Sequence, residues 1–346
     1  MEFMQKKYIF VVLLAMIMLG TSCNDEWNKE QYEHFVGFSS PLNSKGVTEI
    51  YVPYSRKDSN GDLLFGNGLS NYEIPMIMSG STLNQKNITV HVAHDPDTLN
   101  VLNIARFQNR QDLFYHDMGR EQLGFATLPE TVNFMSGEDV SLLNVSFDFR
   151  GIDMANKWVL PITVVDDPSY EYKSHPRKNY AKAILRILPF NDFSGKYSGT
   201  ALLNFVKGEE GSGSIVSNVV TGYVVDENTV FFYAGTIDED RLDRANYKVF
   251  ADFNGSNTGG VINFYAENEA INFKSNKEAS YRIIEEMDAI RPYLKRRYVI
   301  INNIDYEYTD YTSVPGSVIE YTVKGSLTLE RVINTQIPDE DQAIQW

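Results

Sequence analysis

An all-β chain of about two domains is what this sequence predicts, and three observations carry the prediction. Apolar residues recur at every second position through run after run, clusters of turn-forming residues separate the runs, and 346 residues with 43% hydrophobic content can fill two cores. Strict alternation is the signature of a strand with one buried and one wet face, because successive side chains point to opposite sides of the pleat.

The elements follow in order. Asn60-Gly61-Asp62 reads as a hairpin turn. Ile88, Val90 and Val92 alternate with Thr89, His91 and Ala93. One helix opens at Asp95-Pro96-Asp97, with Asp95 as N-cap and Pro96 pre-set at the first helical position; Leu99, Leu102 and Phe107 supply its apolar stripe, and it is expected to end near Asp112. Leu143, Val145, Phe147 and Phe149 alternate with Asn144, Ser146 and Asp148. Trp158 to Val165 and Ala181 to Leu188 read as the closing strands of the first unit, and a break falls near Pro189-Phe190-Asn191-Asp192. Ser194 to Gly199 opens the second unit. Asp226-Glu227-Asn228 and Asn254 to Gly260 are turns around the alternating run Tyr247, Val249, Ala251, Phe253. Lys277 to Ile290 has Tyr281, Ile284 and Met287 at helical spacing but reads equally as strand and loop. Ile319, Tyr321 and Val323 form the last alternating run, and the tail Ile333 to Trp346 is polar, with little to bury. The divisions are therefore 1–22, 23–34, 35–190, 191–332 and 333–346.

The first two divisions are an export signal and a tether. Lys6 and Lys7 precede the apolar run Tyr8 to Leu19, too short to span a bilayer, and Gly20-Thr21-Ser22 is a small, cleavable stretch before Cys23. Cys23 is the only cysteine of the chain. The layout resembles a bacterial lipoprotein signal, in which that thiol is lipidated, although Gly20 stands where such signals usually have leucine. More than one acyl chain holds a protein stably at a membrane, at roughly 0.8 kcal/mol per buried methylene. Asn24-Asp25-Glu26 resembles the surface-export signal of Bacteroidetes lipoproteins. With Cys23 lipidated, no thiol remains for disulfides, thiol catalysis or metal binding. The net charge of −15, deepened by one when residues 1–22 leave, makes the chain a poor partner for nucleic acid or anionic lipid.

The short motifs carry little chemistry. His91-x-x-His94-Asp95 has the residue types of a metal site, but positions three apart on a strand face opposite ways, so no metal and no other cofactor is expected. Asp58 to Asp62 lacks the glycine placement of a calcium loop. Asp166-Asp167 and Asp238-Glu239-Asp240 are neighbours on loops rather than carboxylates facing across a cleft, and read as solvated charge. There is no GxSxG elbow, and Gly208 to Ser214 reads as a hairpin tip. Asp97-Thr98-Leu99 matches a short bacterial O-glycosylation triplet on the expected helix. No catalytic residues are assigned. With 21 Tyr and 20 Phe, aromatics are the best lead, since a sugar ring stacks its C–H face on them while polar neighbours bond its hydroxyls. Tyr306, Tyr308 and Tyr311, with Asp310 and with Arg297 upstream, are the candidate glycan-binding residues; Trp27 and Trp346 lie in tether and tail.

Longer segments point to a family. QYEHFVGF (31–38), GVTEIYVPY (46–54), SGSTLN (79–84), HVAHDPDTLNVLN (91–103), GIDMANKWVLPITVVDDPSYEY (151–172) and PFNDFS (189–194) come in order and resemble domain of unknown function 1735 (DUF1735) of Bacteroidetes surface lipoproteins. RPYLKRRYV (291–299), YEYTDYTSVPG (306–316) and GSLTLER (325–331) resemble its companion, DUF4361. The resemblance implies an immunoglobulin-like β-sandwich followed by a second β domain, expected as a sandwich or a lipocalin-like barrel. It also implies a polysaccharide-utilisation context with SusC/SusD-like importers. Some relatives carry a glycoside hydrolase barrel, but about 140 residues cannot form the roughly 250-residue (β/α)₈ fold, and the DxxDxDxE signature is missing. The expectation is a non-enzymatic, lipid-anchored outer-membrane protein, exposed at the surface, that binds oligo- or polysaccharide. A structural or adhesive scaffold is the alternative.

Overall fold

The structure, a computed structural model, describes residues 34–40, 42–58, 60–209 and 213–346. The signal segment, Cys23 and Trp27 lie outside the described residues, as does part of the Gly208 to Ser214 tip. Among the described residues, no helix is long and apolar enough to cross a membrane.

The alternating runs form strands. Two sheets make the first unit. One has the order Lys173–Ser174, Phe35–Phe38, Leu69–Ser79, Val140–Asp148, Ala126–Thr127; the other has Thr48–Pro53, Lys182–Phe190, Trp158–Val164, Ile88–His94, Thr131–Phe134. Leu143, Val145 and Phe147 are buried while Asn144 and Ser146 are exposed, as the period-two pattern requires. The sheets enclose one core, an immunoglobulin-like sandwich with Phe38, Met76, Leu160 and Ile162 among its buried residues.

The strand Lys182–Phe190 is covered on both faces. Ala183, Leu185 and Ile187 point into the sandwich. Ile184 packs with Leu99 under the helix Pro96–Phe107, and Arg186, Leu188 and Phe190 face the second unit. The helix is capped as expected: the Asp95 carboxylate accepts the Thr98 N–H at 3.2 Å. It stops at Phe107, earlier than expected, because Gln108 turns to a positive φ of 55° and only a short 3₁₀ turn, Gln111–Leu113, follows.

Between Phe190 and Gly195 the chain leaves the sandwich. The second unit is a closed barrel of eight strands: Gly195–Ser198, Val219–Val224, Thr229–Tyr233, Lys248–Ser256, Gly259–Tyr265, Ala279–Met287, Leu294–Asp310 and Ile319–Asn334, with Tyr197 opposite Leu329 closing the ring. The Lys277 to Ile290 segment is therefore mostly strand. Its helical stripe is not what it buries, since Ile284 and Met287 are exposed while Ala279 and Tyr281 point inward. The interior is filled by side chains including Leu202, Phe232, Phe264 and Leu327, leaving a void of about 10 Å³ there, no more than one water's worth.

The tail departs from expectation. Ile344–Gln345 pairs with Val332 and Ile333, Ala343 is buried, and Trp346 lies flat on Tyr51 of the sandwich. The charged groups of the tail hold it down, with Arg56 bonded to Asp339 and, at 3.3 Å, to Asp341. Further contacts join the units: Arg244 donates to the Ala155 carbonyl at 2.9 Å, and Lys248 meets Asp153 at 3.2 Å.

Candidate functional site

The residues singled out by sequence do not converge. Tyr306 and Tyr308 point into the barrel, where Tyr306 packs on Phe273 at 5.3 Å and Tyr308 stacks on Tyr321 at 5.2 Å. Burial pushes the Tyr306 phenol up to about 12. Neither ring presents a free face to a ligand outside. Asp310 is buried at the strand's end, and the Tyr311 hydroxyl accepts from Asn268 at 3.2 Å. Arg297 bonds Asp192 at 2.7 Å, and the thirteen positions from it to Asp310 span about 40 Å of strand. The alternation seen in the sequence is the barrel's inward alternation, used for packing.

The other motifs are also structural. His91 stacks on Tyr170 at 4.2 Å, and His94 bonds Asp117 at 2.8 Å. Asp58 accepts the N–H groups of Asn60 and Asp62 in a hairpin turn closed by the Lys57–Leu63 bridge. Asp166 and Asp167 bond Ser174 and Ser169. Thr98 is tied to Asp95 at 2.6 Å and to Lys182 at 3.0 Å.

What does converge is the junction of the units. A cavity of about 430 Å³ lies between the outward face of Thr48–Pro53 and Lys182–Phe190 and the outer wall of the barrel, with the tail as a third side. Strand parity builds it. Ile50 and Val52 go to the sandwich core, so Glu49 and Tyr51 point out; Val220 and Val224 are buried in the barrel, so Thr221 and Tyr223 point toward the sandwich.

One wall is aromatic. Trp346 stacks on Tyr51 with ring centroids 4.1 Å apart and planes 2° from parallel, and Phe190 meets Trp346 edge-on at 4.7 Å. Trp346 is 49% exposed, so this wall is open to ligand. The floor is polar. Arg186, buried, bonds Glu49 at 3.3 Å and Glu239 at 3.0 Å; Lys45 approaches Glu239 at 3.6 Å, and the Tyr223 hydroxyl donates to Glu239 at 3.4 Å. Burial alone would raise the Glu239 carboxyl, but the charges of Arg186, Lys157 and Lys45 overcome it and draw it down to about 2.

That shift has a testable sign. Glu239 is ionised in the fold well below its ordinary 4.5, so the stability it contributes is complete above about pH 4.5 and drains away as pH falls toward 2. Thermal melts of the wild type and Glu239→Gln should differ most at neutral pH and converge across that window. A gap that stays constant down to pH 2 would contradict this account.

Tyr51 was hidden because a tyrosine in an alternating strand resembles any other. Arg186 left a signal: a lone charge inside the apolar run AILRILPF, which a strand covered on both faces can hold only if it is paired.

With this geometry in view, similarity to known proteins identifies the family. A model described as domain of unknown function DUF4973 matches residues 27–168, and one described as a C-terminal domain matches residues 181–328. An auxiliary nutrient binding protein of Bacteroides thetaiotaomicron is 53% identical, with a TM-score of 0.82, over 91% of this chain and 100% of that one. A multidomain protein including DUF1735 from Bacteroides ovatus is 40% identical, with a TM-score of 0.76, over 90% of this chain and 100% of its own. A protein of unknown function from Bacteroides ovatus is 34% identical, with a TM-score of 0.75, over 92% and 97%. No curated protein matches. The chain belongs to the family of these Bacteroides proteins.

Proposed function

We propose that the chain is a non-catalytic accessory lipoprotein that captures oligo- or polysaccharide in the junctional cavity. It is anchored through Cys23 in the outer membrane, faces outward, and works beside SusC/SusD-like importers, with a DUF4361-like barrel as its second domain. The observation that carries the reading is the open aromatic wall of Tyr51 and Trp346 set against a floor of hydrogen-bonding groups, the combination that holds a sugar's apolar face and its hydroxyls together. The nutrient-binding description of the 53% identical relative supports it. Glu239, drawn down to about 2, is unsuited to serve as the general acid of a glycosidase, which needs a raised pKa.

Affinity electrophoresis of the purified mature chain against soluble polysaccharides tests the reading. At least one polysaccharide should retard the protein and shift its tryptophan fluorescence, with no change in the polysaccharide's size profile. Unaltered mobility across the panel, or chain cleavage, would count against it.

A further inference from the structure

The side chains lining the cavity carry one more positive than negative charge, opposite in sign to the molecule as a whole. The chain carries a net −15. Yet Lys45, Arg186, Lys196 and Arg331 line this one cavity against Glu49, Glu239 and Glu330. The three acids are all occupied. Glu49 and Glu239 share Arg186 at 3.3 and 3.0 Å, and Glu330 is bonded to Arg296.

Two of the cations are not. Lys196 stands exposed on the barrel wall and makes no ion pair among the described residues. Arg331 is only 5% exposed. It donates to two neutral carbonyls, those of Asn191 and Ser194, and its Nε has no hydrogen-bond partner. The charge of Asp192 acts on it, but that carboxylate is bonded to Arg297, at 2.7 Å. A buried guanidinium without a carboxylate in contact is costly to hold, and an incoming negative charge relieves that cost. The Arg331 guanidinium lies 5.5 and 5.6 Å from the Trp346 and Phe190 rings, so positive charge sits against the aromatic wall.

We propose that the saccharide taken by this cavity is acidic, bearing a carboxylate or a sulfate ester that Lys196 contacts and Arg331 attracts from beside the aromatic wall. This inference rests on the saccharide-binding reading above and narrows it to a ligand class. Carboxylate and sulfate share the chemistry that matters here, a compact anion on a ring that also has an apolar face.

Matched probes separate the possibilities. Titration calorimetry of the mature full chain would use galacturonan oligosaccharides against their methyl-esterified forms, and carrageenan oligosaccharides against neutral agarose oligosaccharides of equal length. A neutral set of dextran, galactan and mannan fragments completes the panel. The acidic member of at least one pair should bind about tenfold tighter or more, and the advantage should shrink as salt is raised to about 0.5 M. Which pair responds identifies carboxylate or sulfate. Lys196→Ala should remove most of that advantage without changing the melting temperature, and Lys196→Arg should keep it. If a neutral fragment binds as tightly as any acidic one, the acidic class is wrong while the cavity reading stands; if an acidic preference is present but Lys196→Ala leaves it unchanged, the Lys196 contact is wrong. If no probe binds, both fall.

Discussion

Replacing Trp346 by alanine is expected to weaken saccharide binding about thirtyfold, a loss of about 2 kcal/mol, the usual size for a central aromatic anchor. The indole is the outermost ring of the cavity's wall, 49% exposed and held flat by Tyr51 at 4.1 Å. It therefore offers a rigid apolar face whose entropy of ordering is already spent in the free protein. Tyr51→Ala should have a comparable effect by a different route, because it leaves the indole without its backing. Tyr51→Phe keeps the stack and should bind within a few-fold of wild type. Because both rings are at the junction rather than inside either core, melting temperatures should move little. A Trp346→Ala protein that binds as the parent does would remove the wall from the site.

How much of this was legible in the sequence depends on what each residue's signal reports. Period-two patterning reports which face of a strand is buried, and it placed the strands through Leu143, Val145 and Phe147 correctly. Asp95 and Pro96 reported a helix start because capping is a local matter, satisfied within three residues. Patterning does not report what a buried face meets. Tyr306 and Tyr308 carry the same alternation as a binding platform would, and only ring closure between Gly195–Ser198 and Ile319–Asn334 puts them inside a barrel. The cavity was unreadable for the same reason. Its walls come from residues as far apart as Tyr51, Tyr223 and Trp346, joined by a packing of two units that no local pattern encodes. Trp346 reads as tail because its stacking partner, Tyr51, lies almost 300 positions away in the chain.

Asp310 provides the sharpest separation between the pattern-based reading and the structural one. Its carboxylate, 4% exposed, accepts from Arg241 at 3.3 Å, from the Tyr247 hydroxyl at 2.9 Å, and from the backbone N–H groups of Thr312 and Ser313 at 3.1 and 3.0 Å. These bonds pin the segment Arg241 to Tyr247 against the end of the strand Leu294–Asp310. Burial would raise this carboxyl, but Arg241 and the Ser313 and Thr312 donors hold it well below the usual carboxylate range. Asp310→Ala removes the acceptor and leaves Arg241, Tyr247 and two N–H groups without it, which should cost about 3–5 kcal/mol and lower the melting temperature by roughly 10 °C. The sign with pH follows from the depressed value: the contribution is complete above the ordinary 3.8 and is lost as pH falls further, so the mutant's deficit should narrow only in strong acid. Saccharide binding is the discriminating readout. Asp310 does not line the cavity, so Asp310→Asn, which keeps the shape and loses the charge, should be destabilised yet bind with unchanged affinity. A variant that melts like wild type but no longer binds would restore Asp310 to the role its position in the tyrosine cluster first suggested.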